Sequence, residues 1–152
     1  MADSPNIERF NEVAGQILAT LYANFPVSIT LSPTQFLPGG GADLLCPENG
    51  DAGGLSEPAE FFMESLAWLI GQGYVASTGR GQIYFSECTL TDKGLAALNA
   101  TLPNLAGEKS IGDRLKDAAK SGGKSLVASL ANEAITAGVG FAISAAGRVL
   151  KG

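Results

Sequence analysis

The sequence predicts an α+β fold that is mostly helical, and three observations carry that expectation. Apolar residues recur at helical spacing through most of the chain. Alternating patterns are confined to a short stretch after Pro26 and another on either side of the glycines near residue 80, enough for a small sheet only. The composition, 45% apolar and 16% charged over 152 residues, is that of a globular chain with enough length to bury a core.

Ser4-Pro5 opens the first helix, the hydroxyl to cap free amides and the proline with a φ that suits the first turn. Ile7, Phe10, Ala14, Ile17, Leu18 and Leu21 then place one core face on residues 5–24, and Pro26 ends the helix. Val27, Ile29 and Leu31 alternate with polar residues as a short strand does. Ser32-Pro33 repeats the cap signal for a brief helix through Leu37. Residues 38–55 are rich in Gly, Asp and Pro without a usable period, which predicts a long loop.

Ser56 caps the next helix, from about Glu57 to Gln72, whose core stripe is Phe62, Leu66, Leu69 and Ile70. Tyr74–Thr78 and Gln82–Leu90 read as a β-hairpin, with Gly79-Arg80-Gly81 as its turn and Ile83 and Phe85 on one face. Thr91 caps a helix containing Leu95 and Leu98, and Pro103 and Gly107 mark a boundary. Beyond it Ser110 caps an amphipathic helix lined by Ile111, Leu115 and Ala119, Ser121-Gly122-Gly123 forms a hinge, and a second tail helix runs from Ser125 to Leu150.

Helix, strand, helix, loop, helix, hairpin, helix is the order of a winged-helix domain. The stretch "SLAWLIGQGYV" through "IYFSECTLTDKGLAAL", with Leu90, Thr91, Gly94 and Leu98 in a Leu-Thr-x-x-Gly-x-x-x-Leu pattern, resembles the winged-helix signature. The following "DRLKDAAKSGGKSLVASLANEAI" is similar in layout to the tail of an uncharacterised bacterial and phage family of small winged-helix proteins, DUF2513. The resemblance covers about residues 56–135 and implies a fold; that family offers no function or catalytic residues to carry over. The expected organisation is a winged-helix domain over residues 1–107, with the 38–55 loop inserted, and a helical assembly segment over 108–152.

Charge divides the chain in the same place. Residues 1–107 carry eleven acids and three bases, Arg9, Arg80 and Lys93, a net −8; residues 108–152 carry four acids and seven bases, a net +3. A helix that read DNA would offer cations to phosphates, yet residues 56–75 hold Glu57, Glu60 and Glu64 with no Lys or Arg. Spaced at 100° per residue, Glu57, Phe61, Glu64 and Trp68 share the side opposite the core. Two aromatics ringed by carboxylates make a protein-facing surface and invite a basic partner, a role that the Lys109–Lys124 segment also fits, in the same chain or a neighbour.

The DNA alternative rests on Arg80, at the expected hairpin tip, and on Lys116, Lys120 and Lys124 in the tail, where Asp113 and Asp117 interleave. A 38–55 insertion, where a helix-turn-helix has a turn of about 3–4 residues, also argues against DNA. The tail helix points Leu126, Leu130, Ile135, Phe141 and Ile143 to several sides, which predicts self-association into a homo-oligomer. Ala134–Gly147, its uncharged part, is too short to span about 30 Å of hydrocarbon, so a membrane is not expected.

Catalysis has no candidate residues. The chain contains no histidine, which removes the commonest general base and metal ligand. Cys46 and Cys88 lack metal-ligand spacing, and with no leader-like opening the expected compartment is a reducing cytoplasm. The string "AAKSGGKS" at Ala118–Ser125 imitates a phosphate-binding loop, but a helix is expected before it where such a loop needs a strand. No metal or cofactor is expected. The sequence therefore points to a non-enzymatic protein-interaction module that self-associates through its C-terminal helices, with a DNA-binding transcriptional regulator of bacterial or phage type as the alternative.

Overall fold

The structure is a computed structural model that describes residues 5–36, 56–99 and 110–151, with side chains from Asn6 and as far as Val139. The expected 38–55 loop, the Pro103–Gly107 boundary and Lys109 lie outside the described residues. The chain is α+β and mostly helical, in the order α1 (Pro5–Asn24), β1 (Ile29–Leu31), a 3₁₀ turn (Pro33–Gln35), α2 (Glu57–Gly71), β2 (Val75–Ala76), β3 (Gly79–Arg80), β4 (Phe85–Leu90), α3 (Asp92–Asn99), α4 (Ile111–Ser121) and α5 (Lys124–Lys151).

Three helix starts that the sequence marks with a hydroxyl are capped as the free amides of a first turn require. The Ser56 hydroxyl accepts from the Ala59 amide at 3.4 Å, Thr91 from Gly94 at 3.1 Å, and Ser110 from Asp113 at 3.2 Å. Ser32 forms a reciprocal capping box with Gln35, but the brief helix expected there is a single 3₁₀ turn.

Phe62, Leu66 and Leu69 of α2 are buried as its stripe predicts, Ile70 is half-buried, and Met63, outside the expected stripe, is buried with them; Ala14, Ile17, Leu18 and Leu21 of α1 are buried as expected. Ile7 departs from that pattern: the first turn of α1 stands clear of the core, and Ile7 is 56% exposed.

The sheet is antiparallel, with β4 between β1 and β2 and with β3 also paired to β4. Ile29 faces Cys88 while Leu31 faces Phe85, so two steps along β1 oppose three along β4. This bulge sits at Glu87, whose φ is 47°, and it turns both Phe85 and Cys88 into the core.

The hairpin turn falls later than expected. Gly79 and Arg80 pair with Ser86 and Phe85, and the chain reverses over residues 81–84, where the Gly81 amide donates to the Tyr84 carbonyl at 2.8 Å. Ile83 accordingly belongs to the turn and not to a strand. The Tyr84 ring lies over Gly81, where a Cβ would stand 2.1 Å from it, so a larger residue there would make this exposed ring swing away.

The core continues across the boundary expected at residue 107. Ile111, Leu115, Ala118, Val127, Leu130 and Ala134 belong to the same buried cluster as Ile17, Leu66 and Leu98. Helix α5 packs against α1, α3 and α4, so its several apolar sides meet three helices of its own chain. At the α1–α5 crossing a Cβ on Gly15 would stand 2.4 Å from Val127 Cγ1, so only glycine permits this approach. Among the described residues no helix is long and apolar enough to cross a membrane.

Candidate protein-binding groove

The four residues expected on the outer side of α2 do share one surface, and α1 completes it. Trp68 is 42% exposed and Phe61 half-buried, with Glu57 and Glu64 exposed at their sides. Phe10 meets Trp68 edge to face with ring centres 5.1 Å apart, and Tyr74 stacks on Trp68 at 6.4 Å. Between the helices lies an open groove of about 390 Å³, lined by Asn6, Ile7, Phe10, Phe61, Ser65 and Trp68, with Glu64 at its rim. Its lining is almost wholly apolar.

The carboxylates of this face are answered within the chain. Arg9 grips Glu57 through two hydrogen bonds, at 2.5 and 3.0 Å, and its guanidinium lies 4.1 Å from the centre of the Phe61 ring. That bonding holds the Glu57 carboxyl below the usual glutamate range. Arg80 donates to Glu64 at 2.9 Å and lies over Phe85, so the arginine expected at a free hairpin tip instead leans back onto α2. Lys93 donates to the Gln72 carbonyl at 2.8 Å, where the end of α2 favours a cation, and covers the Tyr74 ring at 4.4 Å.

All three cations of residues 1–107 therefore end on α2 or its C-cap. The available signal for the two arginines was scarcity, three bases among eleven acids, whereas Lys93 meets a main-chain carbonyl. Glu60 is exposed and has no ion-pair partner among the described residues.

The tail residues divide by environment. Leu130 is 4% exposed in the chain's own core, and Ile135 packs half-buried against it. Leu126 is 55% exposed. Phe141 and Ile143 lie outside the residues whose side chains are described. Lys116 is half-buried and Lys120 and Lys124 are exposed, none with an ion-pair partner among the described residues. The Lys109–Lys124 segment does not cover the acidic face of its own chain where it is described, because α4 packs on α1, α3 and α5.

Residues 118–125 are the end of α4, a Gly122 cap with φ 75°, and the start of α5, so the phosphate-loop string is preceded by helix. Cys88 is buried, and burial pushes its thiol pKa up, away from the reactive thiolate. Among the described residues no three His, Cys, Asp or Glu side chains stand together as metal ligands.

Comparison of the chain with protein-family models, with curated proteins and with solved structures finds no match.

Proposed function

We propose that the chain is a non-enzymatic module of winged-helix type that recognises another protein through the α1–α2 groove and also associates with copies of itself. The winged-helix reading is supported by the element order and by a sheet in which the last hairpin strand lies between its partner and the strand after α1. The observation that carries the interaction reading is the open apolar groove in which Ile7 and Trp68 remain 56% and 42% exposed. A partner can bury only the exposed half of each side chain, which supplies half of the ~1.5–3 kcal/mol that full burial of a large apolar side chain gives, and tryptophan is a preferred anchor of interfaces.

Trp68 is the only tryptophan in the chain, so its emission reports on this groove alone. Titration with lysine-rich amphipathic helical peptides is expected to shift that emission to the blue, less so as salt rises, while glutamate-rich counterparts leave it unchanged. A spectrum that moves with neither set rejects the groove as a protein-binding surface.

A DNA-binding regulator is the second reading, favoured by Lys116, Lys120 and Lys124 standing without ion-pair partners among the described residues. Anisotropy of labelled mixed-sequence duplex, titrated with salt, separates the two. The interaction reading expects no binding even at low salt, whereas affinity that falls steeply with salt would move the working surface to the lysines.

A further inference from the structure

We infer that the occupant of the groove is the α4–α5 corner of a second copy, with Leu126 entering the apolar floor and Lys120 and Lys124 facing Glu60 and Glu64. This rests on the reading of the groove as a protein-binding surface. Lys120, Ser121, Gly122, Lys124, Ser125 and Leu126 are all exposed, and the leucine is 55% exposed. An apolar side chain of this size, framed by two lysines, has the chemistry of an anchor with a charged rim.

Charge complementarity selects this corner. Between the exposed acids Asp117 and Glu133 the chain carries Lys120 and Lys124 and no acid, a local charge of +2 over residues 118–132. On the groove side, Glu57, Glu60 and Glu64 of α2 face Arg9 and Arg80, which leaves −1, while Glu8 of α1 lies on the other side, beside Ser125 and Ser129 of α5. Unlike the other two carboxylates of α2, Glu60 is unanswered among the described residues. Two lysines without ion-pair partners on one surface and a surplus of carboxylate on another match each other and steer the encounter.

The corner is built before it binds. Gly122 takes the left-handed conformation at φ 75°, the Gly123 amide donates to the Ala118 carbonyl at 3.2 Å, and the Val127 amide donates to the Gly123 carbonyl at 2.9 Å. Little ordering is therefore required on contact. Among the described residues Leu126 stays exposed and the groove stays open, so the two do not meet within one chain. The matching surfaces are different parts of the molecule.

Sedimentation velocity of the full chain over a concentration series tests this. The wild type is expected to associate, less so as salt rises. Ile7→Lys, which blocks the groove, and Leu126→Asp, which spoils the corner, alter exposed residues; far-UV circular dichroism checks that both still fold. Each alone is expected to associate at least about tenfold more weakly. Mixed, they are expected to recover a 1:1 complex, because one supplies an intact corner and the other an intact groove. A wild type that is monomeric at all concentrations, variants that associate as the wild type does, or a mixture that stays monomeric would each overturn the inference. Blue-shifted Trp68 emission with basic peptides, alongside a monomeric wild type, rejects the copy-to-copy contact and leaves the groove reading intact.

Discussion

The Tyr74 hydroxyl, at the foot of the hairpin, donates a 2.6 Å hydrogen bond to the main-chain carbonyl of Ile135 in α5. The two residues are 61 positions apart, and the bond crosses the charge boundary near residue 107. Tyr74 is buried, burial raises its phenol pKa, and its ring stacks on Trp68. Tyr74 therefore links the tail helix to Trp68 in the wall of the groove.

Tyr74→Phe keeps the ring and removes the bond, with an expected loss of about 1 kcal/mol. Gly138→Ala tests the same contact sterically. A Cβ there would stand 2.4 Å from Tyr74 Cε1, so a loss of about 1–3 kcal/mol is expected, against the roughly 1 kcal/mol by which alanine favours a helix. Urea midpoints at unchanged slope measure both; a more stable Gly138→Ala variant would refute the contact.

Removal of everything after Gly107 deletes Ile111, Leu115, Val127, Leu130 and Ala134 from the buried cluster. The shortened chain is expected to lose cooperative unfolding, seen as a broad urea transition and a flat near-UV spectrum. A soluble monomer with a sharp transition would instead make residues 108–152 a separate assembly segment.

Thr91→Val preserves shape but removes the bond to the Gly73 carbonyl and the cap on Gly94. The expected cost is about 1–2 kcal/mol, read from the urea midpoint. A midpoint equal to that of the wild type would show that neither bond contributes to stability.

Glu57 supplies the pH prediction. Its folded-state pKa is lowered by Arg9, so whatever stability the pair contributes is present above the unfolded-state value and is lost as pH falls through the folded one. A carboxyl carbon titration by NMR should place Glu57 below an ordinary glutamate, and Arg9→Gln should return it to the usual range. An unchanged titration in that variant would show that Arg9 is not the cause.

Much of the fold is legible in the sequence because local chemistry is written locally. The 3.6-residue recurrence from Phe10 to Leu21 and the hydroxyls of Ser56, Thr91 and Ser110 specify helices and their starts wherever the rest of the chain lies. The common side of Glu57, Phe61, Glu64 and Trp68 follows from helix geometry alone. The hairpin turn begins at Gly81 instead of centring on Arg80 because Gly79 and Arg80 pair with Ser86 and Phe85, a register that alternation alone does not fix in strands this short.

What only the tertiary structure decided are the relations between distant segments. Composition and spacing made α2 acidic and aromatic, but not that Arg9, 48 residues earlier, and Arg80, 16 residues later, would answer two of its carboxylates. Periodicity likewise made α5 apolar on several sides without naming what covers them. An apolar face gains the same free energy against any close-packed neighbour, so only the packing assigns Leu130 to the chain's own core and leaves Leu126 in solvent.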